Sequence, residues 1–170
     1  MRYKGLLYRA LNPRYVREPL SGEGAALYGG RFNPKGTEAL YCAMSVQTAI
    51  REANQVGDLQ PTTLVSLRAD IGPLFDSYDA NAFEREGLVP VNLGDPAWRN
   101  RMKSGKVVPT QQLAMELIAK GYCGLIAPSS ANGATVQDRN CVLWRWNDSA
   151  DNSISVVDGE DRLGNSSQTP

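Results

Sequence analysis

The sequence predicts a single α+β domain in which mixed or antiparallel β-sheets are flanked by helices. Short stretches with the alternating polarity of strands recur along the chain, and between them lie segments whose apolar residues have helical spacing. No internal repeat and no linker divides the 170 residues. A chain of this length buries a substantial core without disulfides or metal ions. Together these observations favour one compact domain of the α+β class.

In the first part of the chain, the predicted elements surround a long irregular segment. A strand is expected over residues 5–11, and residues 12–37 are then rich in proline and glycine. Loops of this length inside compact domains usually serve a function. A second strand at 38–43 precedes a helix over about 46–56 with Ser45 as its N-cap. Apolar residues at helical spacing predict one core-facing side of this helix, made of Val46, Ala49, Ile50, Ala53 and Val56.

Later predicted elements continue the mixed pattern. A strand is expected at 62–69, short helical segments near 80–86 and 96–103, and strands at 124–128, 141–146 and 154–157. The helix over 110–120 has the clearest signal and is followed by Gly121, which is suited to end it. Its predicted core face consists of Leu113, Ala114, Leu117 and Ile118. Residues 164–170 are polar and expected to form a flexible tail, so the domain is expected to cover residues 1–163.

Charge and hydropathy exclude several classes of function. The chain carries 18 basic and 18 acidic residues, giving a formal net charge of zero. Sustained binding to nucleic acid or to an anionic membrane requires clustered basic residues, so neither is expected. The basic N-terminus lacks the apolar stretch of a signal peptide. No window approaches the roughly 20 apolar residues of a membrane helix. A cytoplasmic protein is therefore expected.

Histidine is absent from the sequence. Its absence excludes Ser-His-Asp and Cys-His catalysis, histidine general bases and histidine-bound zinc. The three cysteines Cys42, Cys123 and Cys141 are far apart and lie within apolar runs, which is typical of small buried residues rather than of disulfides or metal ligands. No metal site is expected. Any catalysis therefore depends on arginine, lysine, carboxylate and hydroxyl side chains and on backbone groups.

The loop from Tyr28 to Gly36 is the strongest local signal for a binding site. Gly29 and Gly30 allow backbone amides to approach a ligand, and Arg31 offers the forked donor that suits phosphate oxygens. Lys35 adds a second positive charge. A hairpin loop with a surface arginine accounts for the same residues equally well. The segment has neither the spacing of a P-loop nor that of a dinucleotide-binding fold.

Other candidate residues lie on neighbouring predicted elements. Tyr41 is either a core residue or a platform for a flat ring, with its hydroxyl available to a ribose. Glu52 falls on the flank of its helix at about 100° per residue, so its carboxylate is expected to lean over the glycine loop. A solvated helix carboxylate is the ordinary interpretation of such a residue. Ser129 and Ser130 follow a predicted strand, where a polar turn is the ordinary interpretation.

In combination, these segments resemble the RES-domain family, which comprises toxins of bacterial toxin–antitoxin pairs and is named for an arginine, a glutamate and a serine. The resemblance runs from about residue 5 to the strand near residue 157. Relatives often have an arginine after the Pro-Ser-Ala element, whereas Ser130-Ala131-Asn132 occupies that stretch here. Ser129 is favoured over Ser130 as the family serine because it directly follows Pro128. Tyr8-Arg9 also fits a family position. The matching segments are Gly29-Gly30-Arg31-Phe32-Asn33-Pro34-Lys35-Gly36, Ala39-Leu40-Tyr41, Ala49-Ile50-Arg51-Glu52, Gly124-Leu125-Ile126-Ala127-Pro128-Ser129 and Asn140-Cys141-Val142-Leu143-Trp144.

The resemblance implies a fold similar to that of ADP-ribosyltransferases and an enzyme that cleaves NAD. It implies that Arg31, with Arg9, holds the pyrophosphate where the Gly30 backbone allows a close approach. Tyr41, with Tyr28, would stack on the nicotinamide ring. Glu52 would bind the ribose hydroxyls and stabilise developing positive charge, and Ser129 would orient the ribose or the pyrophosphate. NAD is thus implied as substrate, with no metal.

This chemistry suits a chain without histidine, because nicotinamide leaves NAD as a neutral molecule and needs no general acid. Three acceptors of ADP-ribose stay open, namely water, phosphate and a protein target. The implied partner is a helix-turn-helix, Xre-like antitoxin that blocks the active site, in a complex of unspecified stoichiometry. The alternative is a non-enzymatic interaction protein whose arginine pocket docks the tail of the antitoxin.

Overall fold

A computed structural model describes residues 1–54 and 60–164. Its strands are β1 (Tyr3–Leu11), β2 (Leu40–Ala43), β3 (Thr63–Ile71), β4 (Leu74–Asp76), β5 (Gly124–Pro128), β6 (Arg139–Leu143) and β7 (Ser153–Val156). Its α-helices are α1 (Glu23–Tyr28), α2 (Val46–Ala53), α3 (Ala82–Arg85), α4 (Trp98–Lys103) and α5 (Pro109–Ala119), and a 3-10 turn spans Pro13–Tyr15.

The strands form one sheet in the order β4-β5-β6-β2-β1-β3-β7. Each neighbouring pair is antiparallel except β4 and β5, which run parallel. The predicted α+β class with mixed strand directions is therefore confirmed. Most elements lie within two residues of their predicted positions. The last helix-to-strand unit, α5 followed by β5, matches closely because both elements have strong local patterns.

One helix and one strand were not predicted from the sequence. The helix α1 lies inside the segment expected to be irregular, since it has only six residues and Gly24 weakens its helical signal. The strand β4 has three residues and pairs in parallel with β5, a distant partner in sequence. β6 was expected at 141–146 but begins at Arg139 and ends at Leu143. The predicted tail lies outside the described residues from position 165 onward.

The predicted core face of α2 is confirmed at Ala49 and wrong at Val46, Ile50 and Ala53. Val46 and Ile50 are 40% and 44% exposed, and the buried residues of this helix are Thr48 and Ala49. The helix is rotated from its expected orientation because the hydroxyl of Thr48 donates to the buried carboxylate of Asp138. The N-cap prediction is confirmed, with Ser45 Oγ accepting from the Thr48 N–H at 3.1 Å. Val56 lies outside the described residues.

The two faces of the sheet bury separate cores. One contains Leu7 and Leu67 together with Cys42, Cys123 and Cys141, so the expectation of buried cysteines is confirmed. The other lies between the sheet and α5 and includes Phe32, Phe75, Leu113 and Val142. Strand alternation divides β5 in this way, with Ile126 in the first core and Leu125 and Ala127 in the second. Within the described ranges, no helix is long and apolar enough to cross a membrane.

Candidate functional site

The loop between α1 and β2 is held in shape by Asn33, which is fully buried. Its side-chain amide donates to the carbonyls of Ala25 at 2.8 Å and Thr37 at 2.9 Å, and its Oδ1 accepts from the Tyr41 hydroxyl at 2.7 Å. The same hydroxyl accepts from the Phe32 N–H at 3.0 Å. The expectation that this hydroxyl is available to a ribose therefore needs correction. Burial also raises its pKa well above the ordinary value.

Gly30 is required for a different reason than the sequence suggested. A Cβ at this position would overlap the hydroxyl of Tyr41 and the Oδ1 of Asn33. The Gly30 N–H donates to the Asn33 carbonyl at 2.9 Å, and the Gly29 N–H donates to the Ala25 carbonyl at 2.8 Å. Both amides that were expected to face a ligand are thus bonded within the protein. Gly30 instead allows Tyr41 to lie against the loop, whereas Gly29 adopts a positive φ of 72° and lies against Met102.

Substituting Gly30 with alanine is therefore expected to disturb the loop. Overpacking of this kind costs about 1–3 kcal/mol, which corresponds to a fall in Tm of roughly 2–4 °C per kcal/mol. Thermal unfolding measures the effect. The matched control is Gly24→Ala, because a Cβ at Gly24 meets no atom within 4 Å. Equal Tm values for the two variants would show that the Tyr41–Gly30 contact does not determine the loop structure.

Arg31 extends from this loop across to the turn after β5. Its Nη1 donates to the Leu93 carbonyl at 3.0 Å and to Ser130 Oγ at 2.7 Å. Its Cζ lies 6.0 Å from the ring centroid of Trp98. Burial lowers the pKa of the Arg31 guanidinium, and the nearby Glu52 carboxylate opposes that shift. The side chain remains a cation, since a guanidinium is not deprotonated in proteins.

The Glu52 carboxylate accepts hydrogen bonds from two side chains on the other side of the site. Ser129 Oγ donates to Glu52 Oε1 at 2.6 Å, and Asn140 Nδ2 donates to the same oxygen at 2.5 Å. The neighbouring Ser130 contacts Arg31 instead. Both serines therefore belong to the site, each with a different charged partner. Arg31, Glu52 and the two serines come together from the glycine loop, α2 and the end of β5.

Two adjoining cavities open around these residues, and they share Tyr41, Glu52 and Asn140. The apolar cavity, of about 250 Å³, is lined by Tyr8, Ala10, Tyr41, Cys42, Ala43, Ala49, Glu52, Ala53 and Asn140. The arginine cavity, of about 180 Å³, is lined by Gly30, Arg31, Phe32, Tyr41, Glu52, Trp98, Pro128, Ser130, Asn140 and Val142. Ligand cavities span roughly 300–1,000 Å³, and the pair together falls within that range.

Two predicted binding residues are not brought to these cavities. Arg9 lies on the same face of β1 as Leu7 and Leu11, opposite to the face that carries Tyr8. Its guanidinium donates to the carbonyls of Pro19 and Ser21 at 2.7 and 3.1 Å, and burial lowers its pKa. Tyr28 ends α1 and is 68% exposed. Arg9 is therefore not a second cation beside Arg31, and Tyr28 does not line either cavity.

Trp98, Arg99 and Asn140 were missed by the sequence analysis. Trp98 lies at the start of α4 and lines the arginine cavity. The Arg99 guanidinium carbon lies 5.0 Å from the Trp98 ring centroid, and its charge acts to lower the pKa of Arg31. Two guanidinium groups thus lie near one indole. The available signals were a tryptophan directly before a basic residue, Arg99, and an asparagine directly before the apolar run Cys141-Val142-Leu143.

Asp138 connects the two halves of the site. Its Oδ1 accepts from Thr48 Oγ1 at 2.8 Å and Arg51 Nη1 at 2.6 Å, both on α2. Its Oδ2 accepts from the Thr135 N–H at 2.8 Å, and its backbone carbonyl accepts from the Ser129 N–H at 2.8 Å. These hydrogen bonds hold the pKa of the Asp138 carboxyl well below its ordinary value. The helix that carries Glu52 is thereby fixed relative to Ser129.

Among the described residues, no group of three or more cysteine or carboxylate side chains is placed to hold a metal ion. The donors at the site are a guanidinium, an amide and hydroxyl groups around one carboxylate. Buried Cys42 lines the apolar cavity, but burial raises the pKa of its thiol to about 12, which keeps it protonated. The arrangement is suited to bind an anion beside a positively charged or charge-developing group.

Comparisons with known proteins identify relatives of the chain. The model of the RES domain family matches residues 6–163. A protein named Toxin Res from Photorhabdus laumondii is 46% identical over 54 residues, which are 31% of this chain and 35% of that protein. Toxin Res from Yersinia enterocolitica is 47% identical over 47 residues, which are 28% of this chain and 31% of that protein. These matches therefore span about a third of each relative.

A solved structure has a similar fold. The crystal structure of the M. tuberculosis MbcT–MbcA toxin–antitoxin complex contains a chain that superposes with a TM-score of 0.60 at 22% sequence identity. The superposition covers 84% of this chain and 75% of the other. At this identity the comparison establishes the fold alone.

Proposed function

The chain belongs to the RES domain family, and from that premise we propose that it is the toxin of a toxin–antitoxin pair that cleaves NAD between nicotinamide and ribose. The names of the two partial relatives and the complex in which the similar fold occurs support the toxin role. The antitoxin is proposed to be a helix-turn-helix, Xre-like protein that covers the two cavities. ADP-ribose would pass to water, to phosphate or to a protein target.

One observation carries the proposed reaction, namely that Glu52 lies at the junction of the two cavities. The apolar cavity, walled by Tyr8 and Tyr41, suits a flat ring, and the arginine cavity suits a phosphate group. A dinucleotide that extends from one cavity into the other has a ribose between its ring and its phosphates. Its ribose would then lie beside the Glu52 carboxylate.

The chemistry follows from this placement. As the bond between ribose C1′ and the pyridine nitrogen breaks, its electron pair moves to the ring and neutralises the pyridinium. Positive charge develops on the ribose, where a fixed carboxylate stabilises it. Ser129 and Asn140 hold one oxygen of that carboxylate in place. The acceptor then bonds to C1′ and releases its proton to solvent. The leaving group needs no acid, because nicotinamide departs as a neutral molecule.

Incubation with NAD labelled in its adenosine part tests the proposal and identifies the acceptor. Separation of the products distinguishes free ADP-ribose, ADP-ribose phosphate and labelled protein, and each of them supports cleavage at the glycosidic bond. Intact NAD contradicts it. A second outcome would identify the arginine cavity as a docking site of a protein that is not an enzyme. In that outcome the wild-type protein leaves NAD intact, and Arg31→Met weakens the complex with the antitoxin.

Arg99 is expected to take the role of second cation that the sequence analysis gave to Arg9. Replacement by glutamine is expected to raise KM for NAD about five- to tenfold at low salt, with kcat unchanged, because one charge beside the pyrophosphate is lost. The increase should shrink at high salt. The control is Arg101→Gln on the same helix, since Arg101 is paired with Asp95 at 3.5 Å. Equal KM values for both variants would exclude Arg99 from phosphate binding.

A further inference from the structure

The side-chain amide of Asn140 has one atom in a hydrogen bond and one atom without a partner. It lies on β6 between Ala43 of β2 and Ala127 of β5, whose small side chains leave space above it. Its Nδ2 donates to Glu52 Oε1 at 2.5 Å. The opposite orientation of the amide would place two oxygens in contact, so this hydrogen bond fixes which atom faces the carboxylate.

The Oδ1 atom of Asn140 is buried and has no hydrogen-bond partner. A buried acceptor without a donor is unfavourable and is unusual unless a ligand completes it. Asn140 lines both cavities, so this unpaired acceptor belongs to a residue of the cavity walls. Among the residues that the structure describes, the other buried acceptors without partners are on Asn54 and Tyr78, and neither residue lines either cavity.

The surroundings indicate which kind of donor fits. The apolar cavity is walled by two tyrosine rings and small residues, so its hydrogen-bonding groups are few. An anionic group here would be repelled by Glu52, whereas a neutral amide N–H would find an acceptor. Nicotinamide carries such a group as its carboxamide. Nicotinic acid carries a carboxylate at the same position and has no hydrogen to donate at neutral pH.

Building on the proposed function, we propose that Asn140 Oδ1 accepts a hydrogen bond from the carboxamide of nicotinamide and makes the site selective for NAD over nicotinic acid adenine dinucleotide. Asn140 then has two roles. Its amide nitrogen positions Glu52, and its amide oxygen recognises the nicotinamide carboxamide. A site whose polar group is matched to a substrate donor rejects analogues that lack the donor.

The test compares the two dinucleotides as substrates of the wild-type protein and of Asn140→Ala. The wild type is expected to prefer NAD by at least about 100-fold in kcat/KM. In Asn140→Ala the ratio of kcat/KM for NAD to kcat/KM for the nicotinic acid dinucleotide should fall at least tenfold. A loss of rate common to both substrates does not change this ratio. The ratio of rates isolates base recognition from the positioning of Glu52, which affects both substrates alike.

Ser129→Ala is the matched control, because Ser129 donates to the same oxygen of Glu52. It is expected to slow both dinucleotides equally and to leave their ratio unchanged. A measurement on the wild type alone avoids any folding defect of the variants: nicotinamide should inhibit NAD cleavage, and nicotinic acid should inhibit at least tenfold more weakly.

Equal use of both dinucleotides by the wild type would overturn this inference while leaving the proposed function intact. The same holds for an Asn140→Ala variant that loses rate on both without a change in ratio, or for equal inhibition by the two bases. Cleavage of neither dinucleotide would overturn the proposed function, and this inference with it.

Discussion

Replacing Glu52 with glutamine is expected to lower kcat for NAD cleavage by about 10²–10³-fold, the range measured when one charge-stabilising group is removed from an active site. Glutamine keeps the size of the side chain and an oxygen that can accept from Ser129 and Asn140. It removes the negative charge that acts on the ribose mainly in the transition state. KM should therefore change by less than about threefold, because the ground-state contacts persist.

Release of nicotinamide, measured over a range of NAD concentrations, separates the two parameters. The control is Glu116→Gln on the exposed side of α5, which removes one carboxylate away from both cavities and should leave kcat unaltered. A Glu52→Gln variant with wild-type kcat would rule out the proposed role of the carboxylate. A rise in KM alone would place Glu52 in substrate binding and not in the chemical step.

Substituting Asp138 with asparagine is expected to have the largest effect on stability among the changes considered. The Asp138 carboxylate accepts hydrogen bonds from Thr48, Arg51 and Thr135 and is 4% exposed. Asparagine directs a donor toward other donors and leaves the Arg51 guanidinium without its counter-charge. A fall in Tm on the order of 10 °C is expected from the loss of such a paired, hydrogen-bonded group. Thermal unfolding at neutral pH measures it.

The same carboxylate gives a pH dependence with a definite sign. Its pKa in the folded protein is depressed, and in an unfolded chain it is about 3.9. Its contribution is therefore fully present above the unfolded-state pKa and is lost as the pH falls toward the folded-state pKa. The acid limb of the Tm profile should be shallower for Asp138→Asn than for the wild type.

Asp79→Asn is the control for both measurements, since Asp79 forms an ion pair with Arg85 in which both side chains are well exposed. Pairs of that kind contribute little to stability. If Asp138→Asn unfolds at the same temperature as Asp79→Asn, the network around Asp138 does not join α2 to the rest of the site. A normal Tm combined with lost activity would limit the network to positioning Glu52.

Sequence patterns predicted best those parts of the site that depend on local structure. Arg31 follows directly from its glycine loop, and Ser129 from the end of a buried strand. Glu52 was placed near the loop from helical geometry, although the helix is rotated from its expected orientation. That rotation depends on Thr48 reaching Asp138, a contact across 90 residues for which no local pattern exists.

Other features depended on which face of the sheet a residue occupies. Leu7 and Leu11 alternate with Tyr8, so Arg9 belongs to the buried face opposite the cavities. Trp98 and Asn140 reach the site from segments far apart in the sequence, which no spacing rule connects. The resemblance to the family supplied the order of the arginine, glutamate and serine. The non-local contacts that hold them together required the three-dimensional structure.

The most direct measurement of cleavage between nicotinamide and ribose follows NAD by proton NMR in the presence of the purified protein. The ring protons of bound and free nicotinamide have distinct shifts, so the bond that breaks is identified without labels or coupled enzymes. We expect free nicotinamide to appear with the wild-type protein and Glu52→Gln to release it at least about 100-fold more slowly. Intact NAD, or cleavage at the pyrophosphate with nicotinamide still attached to its ribose, would contradict this expectation.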